Sequence, residues 1–260
     1  MLPHLHSRRS FLAKSVQAGI ASYSFIQEVS AFVPSPEREN ENQHLTILFQ
    51  GDSITDGNRG RSADPNHIMG HGYAFSIASR VGARFPEKGL SFYNRGVSGN
   101  TITDMAERWV KDTLAISPNV VSILIGVNDT NSVVNKKSPV TVEKYEEVYR
   151  LLLQQTYQQF PDCLLVLCEP FILPVGNIKK NWDGWKEDIT KRQKLVLELS
   201  TEFHTVFVPL QQVFLDACKR ASADYWIWDG IHPTYSGHEL ITKEWLKQTS
   251  KRLPFLRKLC

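Results

Sequence analysis

The sequence predicts a three-layer α/β/α domain built on a five-stranded parallel sheet. From His44 onward, short apolar runs of strand type alternate with longer segments of helical period, which is how a parallel sheet with crossover helices on both faces is written. The chain has 260 residues, enough for one full domain with a large core and too few for two comfortable ones. Its composition, 42% hydrophobic and 22% charged, is that of a soluble globular protein rather than a fibrous or disordered one.

The strands are expected over residues 45–50, 90–94, 120–125, 164–168 and 205–208. Five of them in this order suit a flavodoxin-like, doubly wound sheet. Between them lie apolar helical stripes: Ile102, Met105 and Trp109; then Tyr145, Val148 and Leu152; then Trp185, Ile189, Arg192, Val196, Leu199 and Phe203. Thr101 followed three residues later by Asp104 resembles a capping box and predicts a helix starting just after Asn100. Residues 170–184 lose all periodicity and gather Pro170, Pro174, Gly176 and Gly184. They read as a loop on the strand-end side, where open α/β sheets bind ligands.

The formal charge is only +3, with Lys and Arg scattered among acids. No basic stripe exists to follow a phosphate backbone, so nucleic acid is not an expected partner. Cys163, Cys168, Cys218 and Cys260 make neither a Cys-x-x-Cys pair nor a cluster with nearby histidines, so neither structural zinc nor a disulfide framework is expected.

The N-terminus reads differently. Ser7-Arg8-Arg9-Ser10-Phe11-Leu12 carries a twin arginine, followed by apolar residues through Ile20, Phe25 and Val33. Residues 1–33 are therefore expected to be an export signal, 34–43 a polar linker and 44–260 the working domain. The uncharged stretch over residues 15–27 falls short of the ~20 apolar residues that span a bilayer. No stable membrane span is expected, and the mature domain is expected to be periplasmic or secreted.

Four short motifs stand at strand ends or just before a helix. Gly51-Asp52-Ser53-Ile54-Thr55-Asp56 places a hydroxyl on a tight turn after the first strand. Alone, it equally suits a turn with capping side chains. Asn94-Arg95-Gly96-Val97-Ser98-Gly99-Asn100 follows the second strand, and its glycines let backbone N–H groups approach a ligand. Gly126-Val127-Asn128-Asp129 follows the third and offers a side-chain amide. Asp229-Gly230-Ile231-His232-Pro233 sets a carboxylate three residues before an imidazole, so that the acid can bond Nδ1 and leave Nε2 free. Each is ambiguous alone, but in this order they supply what ester hydrolysis needs.

The set resembles the SGNH or GDSL hydrolases, named for a Ser, a Gly, an Asn and a His in four such blocks, and the likeness runs from about residue 45 to 245. By that resemblance Ser53 is the nucleophile, His232 the base and Asp229 its orienter. The oxyanion hole comprises the N–H groups of Ser53 and Gly99 with the Asn128 amide. No metal and no organic cofactor is implied. Gln50 departs from the family, where many relatives carry an apolar residue.

Details around the blocks, including Gly72-Tyr73, Arg108-Trp109 and Trp228 beside Asp229, resemble the acetylxylan esterase and carbohydrate deacetylase branch. That implies an acetylated oligo- or polysaccharide as substrate, with a lysophospholipase or thioesterase as the alternative, and a homo-oligomer is compatible with either. Tyr225, Trp226 and Trp228 could line the site, fill the core or meet another subunit. A nucleotide- or flavin-binding module on the same fold is a rival of another class, but the first turn lacks Gly-x-Gly-x-x-Gly.

Overall fold

A computed structural model of the chain describes residues 44–62 and 64–260. The leader and linker expected over residues 1–43 lie outside the described residues. In chain order the elements are β1 (Thr46–Gly51), α1 (Ser53–Asp56), α2 (Tyr73–Arg84), β2 (Ser91–Asn94), α3 (Ile102–Glu107), α4 (Trp109–Asp112) and β3 (Val120–Leu124). They continue as α5 (Val127–Val134), α6 (Val142–Gln159), β4 (Leu164–Cys168), α7 (Trp182–Glu202), β5 (Val206–Val208), α8 (Leu210–Ala217), α9 (Ala223–Trp226) and α10 (Tyr235–Thr249). The strands fall within a residue of their expected ends, and the strand order is β2-β1-β3-β4-β5 with every pair parallel.

The central strands β1, β3 and β4 are largely apolar on both faces because helices cover both. Ile47 and Phe49 of β1 join Val166 and Cys168 of β4 in one core with residues of α2, α8 and α10. Leu48, with Val121 and Ile123 of β3, joins residues of α3, α6 and α7 in the other. Burying each such aliphatic or aromatic side chain is worth roughly 1.5–3 kcal/mol. Crossovers between parallel strands are right-handed. Because the chain steps outward from β1 to β2 and then returns past β1 to β3, its helices change face: α2 packs in the first core and α6 in the second, so the segments that follow β1 and β3 part to opposite sides of the sheet.

Three stretches differ in detail from expectation. The 102–105–109 stripe is buried, but Arg108 breaks it into α3 and α4 with a backbone at φ −109° and ψ 3°. Arg192, read as part of an apolar stripe, is fully buried. It pairs with Asp188 at 2.7 Å and lies 5.0 Å from the Tyr145 ring centroid, so its charge is matched within the core. The capping box is present: the Asp104 carboxylate accepts the Thr101 N–H at 2.8 Å. The 170–184 segment includes a 3₁₀ turn over Gly176–Asn181 before α7 begins at Trp182. Among the described residues no helix is long and apolar enough to cross a membrane.

Candidate active site

Ser53 is the first residue of α1, immediately beyond β1. The turn that delivers it requires glycine at position 51, where φ is +156° and a Cβ would stand 2.2 Å from the Leu124 carbonyl oxygen. Asp52 caps α1 by accepting the Ile54 N–H at 3.0 Å. Its carboxyl is buried beneath the serine, and burial pushes it up to about 7 against the pull of that N–H.

The loop after β2 is locked against α1 from below. Asn94, buried, donates its amide to the carbonyls of Thr55, Asp56 and Met69 and accepts the Gly96 N–H. A Cβ on Gly96 would lie 2.3 Å from the Asp56 nitrogen, so the two segments are in backbone contact. Asp56 accepts the N–H and the hydroxyl of Ser98, each at 3.0 Å, together with the Arg61 guanidinium at 2.7 Å. Burial raises this carboxyl, but the bonds from Arg61, Ser98 and Arg59 outweigh burial and hold it below the usual range. Gly99 itself is exposed, sits at φ +85°, and has nothing within 4 Å of where a Cβ would be.

Asn128 stands in the first turn of α5, beyond the carboxyl end of β3. One of its amide hydrogens goes to the Asn100 carbonyl at 3.0 Å, leaving the second for another acceptor. Its neighbour Asp129 accepts the Ile102 N–H at 2.9 Å, which ties the start of α3 to the start of α5. Burial pushes Asp129 up to about 6.

His232 arrives from the opposite end of the chain. Its Nε2 lies 2.8 Å from Ser53 Oγ, and its Nδ1 lies 2.7 Å from Asp229 Oδ2. The second oxygen of Asp229 accepts the N–H groups of Ile231 and His232 at 2.9 and 2.7 Å, so the carboxylate cannot swing away from the ring. Burial raises Asp229, but the bonds from the His232 ring and from those N–H groups prevail, and the acid stays below its usual range. The hydrogen bond to Asp229 raises His232 above the usual imidazole value, against its own burial. The turn is buttressed by the 170–184 segment: Leu173 donates to the Gly230 carbonyl at 3.0 Å, and Gly176 approaches Asp229 too closely for any side chain.

The three aromatic residues ahead of His232 separate. Trp226 is buried in the core, whereas Tyr225 and Trp228 are exposed. The Trp228 ring lies 6.4 Å from the His232 ring at an interplanar angle of 25°, presenting an open indole beside the imidazole. His238 is a histidine the sequence did not single out, having no motif around it. Its Nδ1 accepts the Tyr73 N–H at 3.1 Å, and burial first, then His71 and His232, pushes it down to about 4, so it is held neutral.

The structure thus brings Ser53, His232 and Asp229 into one hydrogen-bonded line, with Gly99 on the loop held against the serine's turn and Asn128 in the first turn of α5, bonded to that loop. The family model of GDSL-like lipases and acylhydrolases matches residues 49–240. The chain belongs to that family. This acylhydrolase is 30% identical over 208 residues to an acetylxylan esterase from Geobacillus stearothermophilus, covering 78% of this chain and 92% of that one. A solved structure of a GDSL-like protein from Parabacteroides merdae is 39% identical and superposes with a TM-score of 0.76 over 81% of this chain and 98% of that one. A structure of the Geobacillus acetylxylan esterase gives 0.72 at 30% identity, over 80% of this chain and 95% of that one. The sheet and its order are those of the SGNH hydrolase fold, and the protein is a carboxylic ester hydrolase.

Proposed function

We propose that this esterase removes acetyl groups from carbohydrate, such as acetylated xylan or its oligosaccharides, through an acyl-enzyme on Ser53. The observation that carries the mechanism is the unbroken line from Ser53 Oγ through His232 to Asp229, at 2.8 and 2.7 Å. His232 Nε2 takes the Ser53 proton as Oγ attacks the ester carbonyl, then returns it to the leaving alcohol. Asp229 holds the tautomer with its proton on Nδ1 and stabilises the imidazolium. The Ser53 and Gly99 N–H groups and the free Asn128 N–H receive the oxyanion as its charge develops. Water then cleaves the acyl-enzyme by the same steps in reverse. The Geobacillus enzyme supports these roles: its structures include catalytic mutants with a serine, an aspartate or a histidine replaced by alanine. That aspartate precedes its histidine by three positions, as Asp229 precedes His232.

For the substrate, the support is the likeness to an acetylxylan esterase and the exposed Trp228 indole beside His232, a face on which a sugar ring can stack. The twin-arginine leader adds export, which brings a glycan deacetylase to its substrate. Hydrolysis of p-nitrophenyl acetate, butyrate, octanoate and palmitate, paired with acetate release from acetylated xylan, tests the reading. The expected result is kcat/KM falling with acyl length and acetate freed from the polysaccharide. A preference for octanoate or longer, with no acetate freed, overturns the carbohydrate substrate and favours a lysophospholipase or thioesterase.

A further inference from the structure

One partly buried cation ties the serine's turn to the loop that carries Gly99. Arg108 stands at the break between α3 and α4 with its side chain 15% exposed. Its Nε donates to Asn100 Oδ1 at 2.7 Å. Nη1 donates to the Arg95 carbonyl at 2.7 Å and to Gln50 Oε1 at 2.8 Å, and Nη2 reaches the Gly51 carbonyl at 3.2 Å. Asp112 supplies the counter-charge at 3.4 Å. Gln50, fully buried, is held in turn by donating to Thr113 Oγ1 at 2.7 Å and to the Asp112 carbonyl at 3.0 Å.

The partners lie at the two ends of one loop and at the root of the turn before Ser53. Arg95 opens the loop, Asn100 closes it, and Gly99 lies between them with no packing contact at its α-carbon's open side. The Asn100 carbonyl is also the acceptor for the Asn128 amide at 3.0 Å. A continuous chain of bonds therefore runs from Gln50 through Arg108 and Asn100 to Asn128. We propose that Arg108 is a positioning residue for the oxyanion hole: its planar guanidinium sets the loop between Arg95 and Asn100, and through Asn100 the aim of the Asn128 amide. This rests on the oxyanion role given above to Gly99 and Asn128. It also gives Gln50 a purpose, since an apolar residue there would take from Nη1 the acceptor it reaches at 2.8 Å.

A guanidinium bonds in several fixed directions within one plane, whereas an ammonium is a point charge that cannot reach all four acceptors at once. Arg108→Lys thus keeps the charge and loses the span. The expected result is a kcat lower by roughly 10- to 100-fold with KM nearly unchanged, short of the roughly 10²- to 10³-fold loss from deleting an oxyanion donor outright, as in Asn128→Ala. Asn100→Ala, which removes only the side-chain acceptor and leaves the carbonyl, should lower kcat in the same way.

The deciding measurement is a double-mutant cycle of each variant with Asn128→Ala, read in kcat with short-chain esters. If Arg108 acts through the amide, the double variants are far less impaired than the product of the single losses. If Asn128→Ala is slow but the losses multiply, or if Arg108→Lys and Asn100→Ala turn over like the parent, the positioning role is overturned and the oxyanion reading stands. An unchanged kcat in Asn128→Ala overturns both. Should Arg108→Lys fail to fold, the Asn100→Ala cycle decides alone.

Discussion

Ser53→Ala is expected to fold normally and to lose esterase activity by a factor on the order of 10⁶ in kcat. The hydroxyl's one side-chain partner is His232 Nε2, and both groups are half-buried, so water can replace the lost bond. The stability change should be about 1 kcal/mol or less. The turn itself is built from Gly51, the Asp52 cap and the Asn94 amide, none of which needs the Ser53 side chain. Activity disappears because no other group occupies the position from which Oγ attacks. Purified variant should retain its thermal midpoint, bind no fluorophosphonate and release no p-nitrophenol above background. Substantial turnover by correctly folded Ser53→Ala would remove the serine from the mechanism.

Asp229→Asn is expected to reduce kcat by about 10⁴-fold. An amide oxygen at Oδ2 could still accept from Nδ1, but Asn must place its NH₂ somewhere. The other oxygen of Asp229 already accepts two backbone N–H groups, at 2.9 and 2.7 Å. The NH₂ is therefore forced toward His232 Nδ1, which then holds the imidazole with its proton on Nε2, facing Ser53, where it cannot act as base. The variant also loses the carboxylate that raises His232, so the acid limb of its pH–rate profile should move to lower pH. In the parent, His232 must be neutral to accept a proton. With its affinity for protons raised, kcat/KM should climb through a midpoint above that of an ordinary imidazole. A flat profile between pH 5 and 8, or an Asp229→Asn enzyme within tenfold of the parent, would sink the assignment.

The parts of the fold that were readable in the sequence were those set by local pattern. Strands buried on both faces read as apolar runs because helices cover both sides, and the Thr101–Asp104 box is a contact over three residues. Ser53 and His232 are 179 positions apart, yet both were legible because each comes with a neighbour that imposes its geometry, Gly51 in one case and Asp229 in the other. Arg108 lacked any such neighbour. Its bonds reach back to Gln50, Gly51, Arg95 and Asn100, and only the closure of β1 against the loop after β2 brings these together. The helical stripe running through Trp109 even masked the break it makes. Gln50 looked like a departure from the family for the same reason. Trp226 and Trp228 could not be told apart by composition: α9 ends at the first, Ile227 is extended, and the change of backbone sends one ring into the core and leaves the other in solvent.

The acid buried under Ser53 sets pH against endurance. Asp52 holds its proton to about pH 7 in the native state but only to about 3.8 once unfolded, so the native form binds the extra proton and loses stability as pH rises across that interval. Asp129 acts in the same sense up to about 6. His238, kept neutral down to about 4, acts in the opposite sense between there and the ordinary imidazole value of 6.5. Above that value the opposition ends, while Asp52 and the raised His232 continue to favour the protonated, folded form. On the proposed mechanism, the range in which His232 becomes an effective base is thus one in which the fold weakens. Thermal midpoints should fall between pH 6.5 and 8 while initial rates increase, and Asp52→Asn, which preserves the cap to Ile54, should make that fall shallower. Midpoints that hold steady or rise over this range would show that the acid is already ionised in the folded enzyme.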